Sequence, residues 1–245
     1  SQQMNHAKPI PMAHSTMDHS MYKEMKHRAM DHSAHRKMQH QPMPDKSMHH
    51  SGTNNIDSAA RIGSGLAGYG SAKPVSHGPS EFGPHIDARP DNIQYRLDDP
   101  GVGLRERKHK VLTYADIRNL YPTQDKREPE REIDLHLTGN MSRYMWSFNG
   151  IAYKDAEPMR FKYGERLRVN LINDTMMNHP IHLHGMWSEL ETGDPNFIPK
   201  KHTIVSQPSS RISYLVTADA LGPWPLHCHL IYHMAGMFRK VVVEE

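Results

Sequence analysis

The sequence predicts an all-β fold, an antiparallel sandwich or Greek-key barrel of about 110 residues toward the C-terminus, preceded by a long segment with no packed structure. Three observations carry that expectation. Beyond Glu132, apolar and polar residues alternate in short runs closed by turn pairs such as Gly139-Asn140 and Asn149-Gly150, the pattern of half-buried strands. These runs recur at the spacing of a β-sandwich. The first 50 residues contain nine Met and nine His but no Leu, Val, Phe or Trp, too little apolar surface to offset the entropy of ordering them.

Residues 1–51 form the Met/His-rich segment, expected to be disordered. Met17-Asp18-His19-Ser20 recurs in it as Met30-Asp31-His32-Ser33. Met17, Met21 and Met25 stand at the four-residue spacing of a helical stripe, but interspersed His, Ser and Pro blur it. Thioethers suit Cu(I) and imidazoles suit either oxidation state of copper, so the segment reads as a flexible copper chelator. Residues 52–125 follow as a linker or irregular region that begins rich in Gly, Ser and Pro, with one short helix expected over residues 111–120 before Pro122. The charged run over residues 125–132 is expected to stay in water. Residues 126–245 hold the barrel, with strands expected at 133–138, 144–148, 166–172, 202–205, 211–217 and 237–243.

Composition excludes several classes of function. The chain has 30 basic and 27 acidic residues, a net charge of +3, too even a balance for an electrostatic case for nucleic acid. A single Cys excludes an intramolecular disulfide and every CxxC metal or redox motif. No GxGxxG or Walker sequence anchors nucleotide chemistry, and no paired carboxylates point to glycoside hydrolysis. No apolar run approaches the roughly 18 residues of a membrane helix, so no membrane span is expected. No basic segment leads into an apolar core after Ser1, so a secretory signal is expected to be absent or already removed.

The chemistry is concentrated in two segments, His179-Pro180-Ile181-His182-Leu183-His184-Gly185 and His227-Cys228-His229-Leu230-Ile231-Tyr232-His233-Met234-Ala235-Gly236-Met237. On a strand, alternate side chains share a face, so His182 and His184 project together, as do His227 and His229. Cys228 must then point the other way, into the barrel, where it could meet His179 and His233. A thiolate with two imidazoles is the trigonal donor set of a blue-copper site, completed by a weak axial Met. The two HxH pairs offer four imidazoles and no sulfur, suited to copper ions that bind oxygen. Cys228 lies between His227 and His229, a short covalent route between the two environments.

With these motifs, the chain resembles the multicopper oxidases and, within them, the periplasmic copper-resistance protein A family. The narrower likeness rests on Leu112-Thr113-Tyr114-Ala115-Asp116, Leu137-Thr138-Gly139-Asn140-Met141, Tyr144-Met145-Trp146-Ser147-Phe148, Asn173-Asp174-Thr175-Met176-Met177 and the MDHS repeats. The resemblance implies a cupredoxin-like barrel, the last of three such domains, and a periplasmic location. It implies that His179, Cys228 and His233 are type 1 copper ligands, His182 a type 2 ligand, and His184, His227 and His229 type 3 ligands. Family members place the axial Met five residues after the second type 1 His, here Phe238. Either Met237 reaches the copper from one residue earlier, or the axial position is apolar; Met234 is expected to pack. The family's trinuclear cluster uses eight His from four HxH-type motifs, and only two such motifs are present here. The chain therefore reads as a fragment or truncated product, whose other ligands come from N-terminal cupredoxin domains or another chain.

The resemblance implies an oxidase in copper resistance. Cu(I) or a phenolic donor is oxidised at type 1 copper, and electrons pass through Cys228 to the cluster, where O2 is reduced to water. The alternative is a copper-sequestering protein without turnover; a third reading, a stand-alone electron carrier, leaves four imidazoles without a purpose. Among lesser candidates, resemblance to cuprous oxidases offers Met177, with Asp174 nearby, as a rim site for substrate Cu(I), against simple packing of Met176 and Met177. Trp146, Trp187 and Trp224 are expected as core or rim aromatics. His136 is expected to face solvent, and His202 to have no role.

Overall fold

Eleven strands and three short 3-10 turns make up the regular structure of residues 70–245, the part of the chain that the computed structural model describes. The Met/His-rich segment and its expected disorder lie outside the described residues. The strands are β1 (Arg131–Asn140), β2 (Met145–Phe148), β3 (Met159–Lys162), β4 (Arg166–Asn173), β5 (His179–Leu183), β6 (Ser188–Leu190), β7 (Lys200–Lys201), β8 (Thr203–Ser206), β9 (Arg211–Thr217), β10 (Gly222–Cys228) and β11 (Phe238–Glu244). One sheet runs β2-β1-β4-β9-β6-β7 and the other β3-β11-β10-β5-β8. Leu135, Leu137, Phe148, Leu167, Val169 and Leu171 from the first sheet and Phe161, Ile181, Leu183, Leu226, Val241 and Val243 from the second belong to one buried core.

The sheets are mixed rather than purely antiparallel. β1 pairs parallel with β4, and β3 parallel with β11. A parallel neighbour needs a long crossover, which the β2 hairpin and β3 supply between β1 and β4. The strands expected from alternation all form, with ends moved by a residue or two; β3, β6 and β7 are too short to show a period.

β4 shows how the rest of the chain is used. Leu167, Val169 and Leu171 point into the core, while Arg166, Arg168 and Asn170 occupy the other face, yet the whole strand is buried. The second face is closed by ion pairs: Arg166 with Glu189 at 2.6 Å, and Arg168 with Glu191 at 2.8 Å and Glu132 at 2.7 Å. Ser71 donates to Glu132, and Thr217 donates to the Asp125 carboxylate. Both ends of the charged run over residues 125–132 are thus held by the sandwich, and only its middle is exposed.

Residues 70–125 contain no extended strand but are tied to the sandwich throughout. Leu97 is in the core, Ala115 donates to the Leu97 carbonyl, and Val205 donates its N–H to the Tyr114 hydroxyl. The helix expected over residues 111–120 is reduced to a 3-10 turn, Tyr114–Asp116, capped by Thr113. The chain beyond it is drawn out because Asn119 and Thr123 donate to the Phe197 and Asn196 carbonyls. Among the described residues no helix is long and apolar enough to cross a membrane.

Candidate metal centre

β5 and β10 are antiparallel neighbours, and their register puts His182 opposite His227 and Ile181 opposite Cys228. Alternation along each strand does the rest. Ile181, Leu183, Leu226 and Cys228 are buried inward, while His182, His184, His227 and His229 share the opposite face.

On the inner side, Cys228 Sγ stands 3.7 Å from His179 Nδ1 and 3.9 Å from His233 Nδ1, and the two nitrogens are 3.2 Å apart. All three residues are buried, and their donor atoms converge as a possible metal site. An ion about 2.0 Å from each nitrogen and about 2.3 Å from the sulfur in a trigonal plane needs edges of roughly 3.5–3.7 Å. The observed separations bracket that range, so the residues fit a three-coordinate ion, and one thiolate with two imidazoles is a copper donor set. Burial, reinforced by neighbouring His233, pushes His179 down to about 3, and burial also lowers His233. Burial pushes the Cys228 thiol up to about 11, against a backbone hydrogen bond from Leu230. Without an ion the cluster is therefore neutral, two imidazoles with free lone pairs and a thiol whose proton an ion displaces.

The surroundings aim these donors. Thr175 Oγ1 is 2.6 Å from His179 Nε2 and 2.9 Å from Asn173 Oδ1. With Nδ1 free, Nε2–H donates to Thr175, whose hydroxyl donates onward to Asn173, and the ring is fixed. Trp146 stacks on His233 with centroids 3.9 Å apart and meets His179 edge-on at 5.5 Å. Gly236 permits that approach, since a Cβ there would lie 1.9 Å from the Trp146 carbonyl oxygen. Met237 is fully buried and accepts a backbone hydrogen bond from Cys228. Phe238, by contrast, lies nearly parallel to the His227 ring at 5.7 Å, on the imidazole side of β10.

On the outer side, the four imidazoles face one another with His182–His184 centroids at 4.3 Å, His227–His229 at 5.0 Å, His182–His229 at 5.2 Å and His184–His227 at 5.2 Å. His184 Nε2 and His227 Nε2 are 3.1 Å apart. His227 Nδ1 lies 3.1 Å from the Cys228 carbonyl oxygen, which accepts its proton and leaves Nε2 free. Burial and then the neighbouring imidazoles hold His184 and His229 below the usual histidine range, which again favours the neutral, ligating form.

Residues 126–245 match the family model described as multicopper oxidase. The chain carries a multicopper oxidase domain. Its sequence is 58% identical to copper resistance protein A of Escherichia coli over 172 residues, 69% of this chain and 28% of that protein. It is 56% identical to a copper resistance protein A homolog of Pseudomonas syringae pv. tomato over 172 residues, 69% of this chain and 29% of that one. Multicopper oxidase MmcO of Mycobacterium tuberculosis is 34% identical over 159 residues, 64% of this chain and 29% of its own. The chain thus spans less than a third of the length of these relatives.

Two expectations for the multicopper oxidase domain need correction. His136 is not a solvent-facing strand residue: it is 3% exposed, with Nδ1 2.7 Å from Asp174 Oδ2. Asp174 is buried against His136, Met177 is partly buried against the core, and Met176 is exposed. His202 does have a role, since its carbonyl accepts the His182 Nδ1 proton and leaves His182 Nε2 free. Thr175 carries no ligand motif, although it supports His179. Its position four residues before His179 is the only sequence signal for it.

Proposed function

We propose that this chain serves copper resistance as the domain of a copper-dependent oxidase that takes electrons from the donor and contributes half of the oxygen-reducing centre. The supporting observation is the alternation along β10: Cys228 lies in the buried cluster with His179 and His233, and its two chain neighbours lie in the imidazole cluster. Copper held at these places would supply one-electron oxidation of Cu(I) or a phenolic donor at the thiolate cluster and, with the other half of the centre, reduction of O2 to water at the imidazoles.

In this reading His179, Cys228 and His233 would hold the type 1 copper, with Met237 as the fourth residue; its backbone pairing with Cys228 supports Met237 over Phe238. His182 is the type 2 ligand, and His184, His227 and His229 are type 3 ligands. Thr175 and the His202 carbonyl position the rings of His179 and His182. Trp146 covers His233 and meets the His179 ring edge-on. Covalent bonds through the Cys228 side chain and main chain join the two clusters without a gap. The four imidazoles are half of the eight that the trinuclear centre of this family uses, so the remaining four come from other cupredoxin domains or another chain. The setting we propose is the periplasm, with Cu(I), Cu(II) and O2 as partners.

A copper-sequestering role without turnover is the second reading, favoured by the nine Met and nine His of residues 1–50. Oxygen uptake separates the two. The purified chain with Cu(I) or a phenol is expected to show negligible uptake, and uptake is expected to appear when a polypeptide carrying two further HxH motifs is added. If no such complement ever restores it, the oxidase reading fails and sequestration stands.

A further inference from the structure

Away from the copper-type clusters, His77, Glu81, His136 and Asp174 bring one donor atom each within 4.8 Å of all the others. They come from three places: the turn around Pro79–Glu81, strand β1, and the residue that follows β4. His77 Nδ1 is 2.7 Å from Glu81 Oε2 and 3.7 Å from Asp174 Oδ2; His136 Nδ1 is 2.7 Å from Asp174 Oδ2 and 3.3 Å from Glu81 Oε2. Donors about 2.0–2.2 Å from a tetrahedral ion stand roughly 3.3–3.6 Å apart, and the observed contacts straddle that spacing. Glu81, His136 and Asp174 are almost fully buried.

Charge makes the same case. Two buried carboxylates facing each other need two positive charges, and a divalent ion supplies both at one point. Asp174 Oδ1 is buried and has no hydrogen-bond partner among the described residues, a lone pair left free in a site already lined by donors. His77, the least buried of the four, borders a cavity of about 610 Å³ that it shares with Val75 and Phe82, which gives an ion a way in.

We propose that His77, Glu81, His136 and Asp174 form a structural site for a divalent transition ion, separate from the copper clusters. Two imidazoles and two carboxylates suit Zn(II) and exclude the soft preference of Cu(I), since neither thiolate nor thioether takes part. The ion fastens the turn at residues 77–81 to β1 and to the loop that leads to His179.

The test uses the full chain with Zn(II) alone, comparing wild type with His77→Ala and Glu81→Gln. Both residues sit on the peripheral turn, and Gln keeps the shape of Glu, so folding is preserved even where loss of buried His136 would not allow it. Equilibrium dialysis is expected to show one fewer Zn(II) bound in each variant. Differential scanning is expected to show a smaller Zn(II)-induced rise in Tm, whereas an exposed control, His109→Ala, matches wild type. Equal stoichiometry and an equal Tm rise in wild type and both variants would overturn the proposal and leave two protons as the charges that balance the carboxylates.

Discussion

Cys228 sits at zero exposure with its sulfur aimed at two neutral imidazoles, and a Cu(II)-thiolate bond in such a place gives an intense visible band. Copper-loaded protein is expected to be blue, and Cys228→Ser to remove the colour; a Ser variant that stays equally blue would discard the ligand assignment. Thr175→Val keeps the volume but removes the hydroxyl next to His179 Nε2, and supporting contacts of this kind are worth about 10–100-fold in metal affinity. A copper titration should therefore show weaker binding with the band retained. Gly236→Ala drives a methyl group into the Trp146 carbonyl, an overpacking cost of about 1–3 kcal/mol that a urea melt would register. At this scale the sequence was legible for donors and silent on their supports. HxxHxH and HCHxxxH are local patterns, whereas the partner of His136 is 38 residues away. A single polar residue on an alternating strand says nothing of what covers it.

Among the elements, β4 depends most on its surroundings. Arg168 joins Glu132 and Glu191 under the covering segment, and removing one member of such a buried network leaves carboxylates without a partner at a cost of about 3–5 kcal/mol. Arg168→Met is expected to lower the unfolding free energy by that order, measured by denaturant titration; a loss under about 1 kcal/mol would mean the network is no stronger than a surface pair. The strands themselves could be read from alternation because one face of each meets the core. The parallel pairing of β1 with β4 and of β3 with β11 could not, because side-chain periodicity is the same in either direction. The role of residues 70–125 was hidden for a related reason. They close the polar face of β4 through main-chain bonds and ion pairs, which leave no hydrophobic rhythm in the sequence.

For the molecule as a whole, acid should be the weak direction. Arg127 holds the Asp125 carboxyl below its usual range; at Glu132 and Glu165 burial pushes the other way but is outweighed, by Ser71 and Arg168 in one case and by Arg131 in the other. Carboxyls lowered on folding contribute stability in full above their unfolded values, and that contribution fades as pH falls through the folded ones. Burial holds His179, His184, His229 and His233 below the usual histidine range, against a raised His136, so their contribution fades as pH falls below about 6.5. Unfolding free energy is therefore expected to decline from about pH 6.5 and further below about pH 4; a flat profile down to about pH 3 would contradict this. Removing residues 1–50, which hold nine of 17 Met, should sharply reduce Cu(I) capacity while the thermal transition of the remaining chain stays in place. An unchanged Cu(I) count would assign that capacity elsewhere.

The register of β10 against β5 has one more consequence, for how such a domain tolerates change in length. Between His184 and His227 the chain wanders through four strands and their loops, and residues added there need only be looped out. Between His227 and His229 there is no slack at all. One residue inserted or deleted would send the sulfur to the water side and an imidazole into the oil, disrupting both ligand clusters together. The two clusters are thus tied into one unit, tolerant of change in loop length but locked to each other by the two-residue period along the chain at Cys228.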